Sequence, residues 1–193
     1  MRVNEIFHSL QGEGYHTGTP AVFVRMSGCN LACPFCDTRH QAYVEMTEDE
    51  ITATVARMKA PMVVFTGGEP ALQLTSCLVQ RMQELGYLVC VETNGTVRLP
   101  EEVDWVTLSP KDMFLGSKAR PVLQQANELK VVYDGVHEPE EYADIAVEHR
   151  FLQPCDTGDP VRNDAIVHEA VEYCLRHPRW RLSLQTHKLI NIR

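Results

Sequence analysis

Short apolar runs recur along this chain, and each is followed by a polar cluster rather than by more core. Residues 21–26, 62–65, 87–91, 105–108, 128–132 and 180–184 are rich in β-branched and aromatic side chains, the composition of strands buried on both faces. Helical patterns lie between several of them. Thr47 and Glu50 form a capping box ahead of Ile51, Val55 and Met58, and Pro61 closes that unit. Leu72, Leu74, Leu78, Val79, Met82 and Leu85 repeat at helical spacing, with Gly86 as a cap past the end. Residues 139–149 read as a helix with Tyr142, Ile145 and Ala146 inward. A further helix, capped by Asn163, runs to Arg176 with Ile166, Val167, Ala170, Val171, Cys174 and Leu175 on one stripe. This alternation predicts parallel strands joined by crossover helices. A closed eight-unit barrel takes about 250 residues, or about 200 at the low end. The chain has 193, and some units lack a helix. The expected fold is therefore α/β, a single-domain, partial and open (β/α) barrel over residues 1–193, with no linker or repeat dividing it. Ligands in such sheets bind beyond the carboxyl ends of the strands, where nearly every polar cluster of this chain falls.

The most specific of those clusters is Ser27-Gly28-Cys29-Asn30-Leu31-Ala32-Cys33-Pro34-Phe35-Cys36-Asp37-Thr38, directly after the first buried run. Three of the seven cysteines stand there in C-x3-C-x2-C spacing. A cubane iron–sulfur cluster fully bound by protein takes four cysteines, so three leave one iron open to a ligand that is not protein. A structural zinc site commonly has four ligands in paired spacing, which this loop does not supply. Cys77, Cys90, Cys155 and Cys174 share no metal-like spacing. Cys77 and Cys174 on helical stripes and Cys90 in a strand read as buried thiols, while Cys155 borders another polar strand end.

Composition excludes several classes. The formal charge of −8 is wrong for sequence-independent nucleic-acid binding, which needs clustered Lys and Arg. No apolar run is long enough to span a membrane, and Met1-Arg2-Val3-Asn4-Glu5 lacks the features of a signal peptide. The chain reads as cytoplasmic, where its thiols stay reduced and metal binding or buried thiols are favoured over disulfides.

The remaining motifs are weaker one by one. Residues 10–20 hold three glycines and a proline and form a loop. Gly12-x-Gly14 is no dinucleotide fingerprint because no helix pattern follows it. Alone, the loop reads best as a turn-rich connection, although Gln11 and Glu13 carry polar groups that a connection does not need. Arg25, at the end of an apolar run, either snorkels to the surface or grips a carboxylate in a fork. Glu48, Asp49 and Glu50 are a helix start. His8, His16 and His40 flank the region, and His187 reads as a packing or hydrogen-bonding residue.

The cysteine spacing together with Gly67-Gly68-Glu69-Pro70 after a later run resembles the radical S-adenosylmethionine (SAM) enzymes. Leu10-Gln11-Gly12-Glu13-Gly14, Cys36-Asp37-Thr38, Glu92-Thr93-Asn94-Gly95-Thr96, Ser109-Pro110-Lys111 and the ending Trp180-Arg181-Leu182-Ser183-Leu184-Gln185-Thr186-His187-Lys188 narrow this to a resemblance to the 7-carboxy-7-deazaguanine synthase family. The resemblance implies conversion of 6-carboxy-5,6,7,8-tetrahydropterin to 7-carboxy-7-deazaguanine with loss of ammonia, on the route to queuosine. It also implies a radical that abstracts hydrogen from C6 of the pterin, with SAM regenerated.

What it implies for residues is as follows. Cys29, Cys33 and Cys36 hold a [4Fe-4S] cluster, whose open iron is chelated by the amino and carboxylate groups of SAM. Phe35, Asp37, Gly68, Ser109, Pro110, Lys111, Gln153, Pro154, Cys155 and Asp156 line the SAM site, Gly68 by letting backbone approach the methionyl part. The substrate meets Leu10, Gln11, Gly12, Arg25, Thr66 and the terminal carboxylate of Arg193, with Arg25 taking the pterin carboxylate. Thr38 is a Mg2+ ligand. A flavodoxin or ferredoxin is the electron donor, and the protein is a homodimer. Two other readings share the cysteines: another radical SAM enzyme or activase, against which residues 10–14 and 185–188 speak, and a non-enzymatic zinc module.

Overall fold

The structure, a computed structural model, describes residues 1–36, 38, 42–142 and 145–193. Among the described residues nine strands, β1 (Arg2–Leu10), β2 (Pro20–Met26), β3 (Val44–Glu45), β4 (Met62–Gly67), β5 (Leu88–Thr93), β6 (Trp105–Leu108), β7 (Gln125–Tyr133), β8 (Ala146–Pro154) and β9 (Trp180–Leu182), form one sheet of order β3-β1-β2-β4-β5-β6-β7-β8-β9. From β2 to β9 every neighbouring pair is parallel, whereas β1 pairs antiparallel with both β2 and β3. The sheet does not close, and the open partial barrel expected from the alternation is the observed architecture. The helices are α1 (Glu48–Val55), α2 (Ser76–Glu84), α3 (Asp112–Leu115), α4 (Pro160–Arg176) and α5 (Thr186–Leu189). No helix among the described residues is long and apolar enough to cross a membrane.

Strand alternation sorts the side chains into two faces. Val22, Val24, Met26, Val63, Phe65, Val89 and Val91 point outward and pack with Ile51, Val55, Leu78, Val79 and Met82 of α1 and α2. Leu129, Val131 and Leu152 do the same with Ala170 and Tyr173 of α4. The opposite face lines the barrel. Its lower layer is apolar, built from Phe7, Ala21, Phe23, Met62, Val64 and Cys90. One alternation further along each strand the residues turn polar: Arg25, Thr66, Glu92, Lys130 and Gln153 line a cavity. The polar layer is thus set by the two-residue period of the strands.

The local signals behave unevenly. Thr47 and Glu50 make the expected capping box at α1. Gly86 follows the end of α2 with φ +86°. The helical pattern from Leu72 splits, however: Pro70–Leu72 is one 3-10 turn, and α2 starts only after Thr75, whose hydroxyl accepts from Leu78 N. Leu72 and Leu85 are exposed. Cys77 is also exposed, not buried: it sits on the first turn of α2, on the side away from Leu78, Val79 and Met82.

The helix expected over 139–149 is a 3-10 turn at Pro139–Tyr142 followed by β8. Tyr142 is inward as expected, but Ala146, Val147, His149, Arg150 and Phe151 pair in register with β7, and an interior position beside β7 outweighs a short helical spacing. The cap of α4 is Asp159, with Pro160 in the first turn. Asn163 lies inside the helix and accepts from Thr157 N and Oγ1 instead. Finally, residues 2–10 form a nine-residue strand that mixed polarity concealed, because only Val3 and Phe7 of β1 are buried.

Candidate active site

The cavity has a volume of about 940 Å³ and opens at the carboxyl ends of the parallel strands. Three parts build it: a rim made by the cysteine loop, a wall of strand ends, and a floor delivered from below by the β1–β2 connection.

The rim leaves β2 at Ser27. Gly28 is pinned at once, because its carbonyl accepts from Glu69 N at 2.9 Å, while Gly68 N donates to the Met26 carbonyl at 2.9 Å. A Cβ on Gly68 would lie 2.0 Å from the Gly28 carbonyl oxygen, so the close approach required of Gly68 is made against the cysteine loop itself. Cys29, Cys33, Phe35, Cys36 and Thr38 all line the cavity. Asp37 and His40 lie outside the described residues. Burial pushes the Cys29 and Cys33 thiols up; Cys29 is raised further by Glu69 and Cys36, and Cys33 by Cys29 and Cys36, while Leu31 N–H and Lys111 pull down on Cys29 and Cys33 respectively. Three thiols that repel one another as thiolates, with an N–H on one of them (Leu31 N to Cys29 Sγ, 3.4 Å), fit a cationic cluster. Among the described residues no three His, Cys, Asp or Glu converge on a single-ion site. Three thiolates on one short loop suit three corners of a cubane better than a structural zinc site, which commonly takes four ligands.

The wall continues from Glu69, which is 1% exposed. Burial raises its pKa against three donors: Thr93 Oγ1, Asn94 N and Ala71 N. It thereby fastens the end of β4 to the end of β5. Asn94 Nδ2 reaches Asn30 Oδ1 at 3.1 Å, and Asn30 Nδ2 reaches Thr96 Oγ1 at 2.7 Å, so the segment after β5 also braces the cysteine loop. After β6, Lys111 Nζ donates to the carbonyl and hydroxyl of Ser109 at 2.6 and 2.5 Å. Burial lowers Lys111 to about 8. Gln153, Pro154, Cys155 and Asp156 complete the wall beyond β8. Gln153 accepts from Ser183 Oγ at 3.1 Å. Asp156 is held to about 2, first by its hydrogen bond from Lys188 Nζ at 2.8 Å.

The floor is a buried polar network. Lys130 Nζ lies 2.5 Å from Glu13 Oε2 and 3.5 Å from Glu92 Oε1. Glu92 also accepts from Gln11 Nε2 at 3.2 Å and Thr66 Oγ1 at 2.8 Å, and Glu13 from Gln185 Nε2 at 3.0 Å. Burial alone would raise Glu13, but Lys130 dominates and holds it at about 2; Lys130 is raised in turn by Glu13, Glu92 and Glu128. The connection is therefore no bare turn. Thr186 N donates to the Gly12 carbonyl at 2.9 Å, and a Cβ on Gly12 would meet His187 Nδ1 at 2.2 Å, so α5 is packed onto it. Arg25 lines the cavity edge with its Nε 2.9 Å from Glu5 Oε1 and does not snorkel away. Leu10 and Arg193 also line the cavity.

All the expected residues that the structure describes therefore converge on one cavity except Pro110, which lies between the lining residues Ser109 and Lys111. The sequence alone assigns no role to Glu92 or Lys130, and to Glu13 only polar groups that a plain connection does not need. Their signal was present: Lys130 interrupts an apolar run, and Glu92 is the first charge after one.

Residues 23–113 match the radical SAM superfamily, which with the open barrel and the three-cysteine rim defines the class. The chain is 54% identical over 193 residues to the 7-carboxy-7-deazaguanine synthase of Bacteroides thetaiotaomicron, covering 100% of this chain and 98% of the relative. It is 46% identical to that of Nitratidesulfovibrio vulgaris, covering 99% and 98%. The crystal structure of QueE from Escherichia coli superposes with a TM-score of 0.79 at 30% identity, covering 96% of this chain and 94% of that one. The chain belongs to the 7-carboxy-7-deazaguanine synthase family.

Proposed function

We propose that this protein contracts the ring of 6-carboxy-5,6,7,8-tetrahydropterin to 7-carboxy-7-deazaguanine with release of ammonia, in queuosine and 7-deazapurine biosynthesis. The observation that carries the proposal is the meeting of the three-cysteine rim and the charged floor in one cavity, in a chain of this family. Cys29, Cys33 and Cys36 would hold the [4Fe-4S] cluster. Phe35, Asp37, Gly68, Ser109, Pro110, Lys111 and residues 153–156 would hold SAM. Bound together, cluster and SAM supply a carbon radical by one-electron cleavage of the sulfonium.

The chain's own residues do the rest. Glu13 and Glu92, both paired with Lys130, offer acceptors to the N–H groups of a pterin. Leu10, Gln11, Gly12 and Thr66 frame the same end. Arg25 offers its terminal guanidinium nitrogens to the substrate carboxylate, a charge-assisted bidentate contact, and the backbone end at Arg193 contacts the same substrate. α5 packs on the β1–β2 connection, with Thr186 N donating to the Gly12 carbonyl, and brings His187 to the cavity lining. Thr38 would carry Mg2+; its place on the cavity lining supports this, since Mg2+ keeps waters and takes oxygens from substrate, where it serves as a template. A flavodoxin or ferredoxin would deliver the electron, and the enzyme would work as a cytoplasmic homodimer; the family resemblance supports these three statements.

The test is anaerobic turnover by the reconstituted protein with the carboxylated pterin, SAM, reductant and Mg2+. The expected result is the deazaguanine acid and one ammonia per product. A protein that binds iron and sulfide yet leaves the pterin unchanged overturns the proposal. Thr38→Ala is expected to keep SAM cleavage and to lose the stimulation by Mg2+; equal stimulation in both proteins removes Thr38 from the metal site.

A further inference from the structure

One face of β1 carries Glu5, Phe7 and Ser9 at alternate positions, and all three engage the tail of the chain. Glu5 Oε2 accepts from the Arg193 guanidinium. Ser9 Oγ donates to the backbone oxygen of Arg193, part of its terminal carboxylate, at 2.6 Å. The Phe7 ring lies 5.0 Å from the Arg193 guanidinium carbon and 5.6 Å from that of Arg25, within cation–π range. Phe7 is fixed by stacking on Phe23 at 5.0 Å. Glu5 also stands in register opposite Arg25 on β2, and its Oε1 accepts from Arg25 Nε at 2.9 Å. One carboxylate and one ring therefore hold two guanidinium groups of like charge.

The geometry of that sharing is selective. Glu5 takes Nε of Arg25, and among the described residues the two terminal nitrogens of Arg25 have no partner. Those two nitrogens are the pair that binds a carboxylate in a fork. Arg25 has been held from the side, with its fork unspent, at the edge of the cavity that it lines.

We infer that Glu5 is a positioning residue for recognition of the substrate carboxylate: it fixes Arg25 through Nε, leaves the fork for the substrate, and couples Arg25 to the tail through the side chain of Arg193. The inference rests on the proposed pterin reading of the cavity, and goes beyond it in assigning roles to Glu5 and to the Arg193 side chain.

Glu5→Gln, Arg193→Ala, the double variant and Arg193→Lys test it. In holoenzyme assays, Glu5→Gln should raise KM for the carboxylated pterin about tenfold while kcat stays within about twofold and SAM affinity is unchanged, the pattern of lost substrate binding. Arg193→Ala should move KM in the same direction, Arg193→Lys should restore part of it, and the double variant should be no worse than Glu5→Gln alone, because both changes break one cluster. In parallel, amide exchange of the unloaded protein at Ile190, Asn191 and Ile192, whose N–H groups bond to Thr186, Lys188 and His187 carbonyls, should quicken about tenfold in Glu5→Gln. Unchanged KM and unchanged exchange overturn the inference. So do strictly additive effects, or a loss of SAM affinity and melting temperature in step with KM. The exchange result decides the clamp even if the wild-type enzyme fails to turn over the pterin, an outcome that would refute the proposed reaction instead.

Discussion

The floor and the rim of the cavity are built on opposite principles. In the floor, Lys130 is 6% exposed and paired with two carboxylates, and Glu92 and Glu13 each take further donors from Gln11, Thr66 and Gln185. Such a network is rigid because every member is satisfied. The rim has little of its own: among the described residues its internal backbone bond is Cys36 N to the Cys33 carbonyl at 3.2 Å, and its thiols are only half-buried or exposed. It is tied down at its base, by Gly28 to Glu69 and by Asn30 to Asn94 and Thr96. The floor is thus a set of mutually satisfied protein groups, whereas the rim is a loop held mainly at its base. On the proposed function, the floor that would meet the substrate is braced by its own bonds, and the rim that would hold the cluster is braced from outside.

The contrast can be broken at its strongest point first. Cys33→Ala should abolish cluster absorbance and all turnover while changing unfolding free energy by no more than about 1 kcal/mol, as for a partly exposed loop side chain; denaturant unfolding beside the visible spectrum checks both. Lys130→Met should do the reverse to stability. It strips the cation from Glu13 and Glu92, whose side chains are 14% and 24% exposed, at a cost of about 3 kcal/mol, read from urea unfolding.

The third test uses acid. Glu13 is held at about 2 in the folded protein against an ordinary 4.5, so its contribution is fully present above pH 4.5 and is lost as pH falls towards 2. The loss amounts to about 3 kcal/mol, and a Glu13→Gln variant should show a correspondingly flatter decline. The smallest effect belongs to the base of the rim: Gly68→Ala must push Gly28 aside, an overpacking cost of about 1–3 kcal/mol. It should lower iron content upon reconstitution while leaving the acid response of the floor unchanged.

Much of this was legible in the residues, and the omissions have a physical pattern. The parallel strands were visible because burial on both faces makes continuous apolar runs, as in Val63-Val64-Phe65. The cysteine loop was legible because spacing alone limits what three thiolates can do. β1 was missed because β1 packs little of its length into the core: its remaining side chains meet solvent, the cavity or the tail. β8 was misread because Tyr142, Ile145 and Ala146 fall at helical spacing, while what decides their structure is the neighbouring β7, more than ten residues away in sequence. Lys130 could be placed on a strand and Glu92 just after one, although Glu92 lies within β5, but the two could not be paired, since a partner across a barrel leaves no local trace. Cys77 shows the converse: helical spacing placed it on an apolar stripe, but the true start of α2 at Ser76 turned it outward.

The division of labour between floor and rim is tested most directly by Glu92→Gln in the cluster-loaded enzyme, measuring 5′-deoxyadenosine and the deazaguanine product side by side. Glu92 belongs to the floor and touches none of the cysteines in the hydrogen-bond network. The expected result is SAM cleavage that persists while ring contraction falls about 100-fold, the scale of a misplaced substrate. Equal loss of both activities, or undiminished ring contraction, would contradict it.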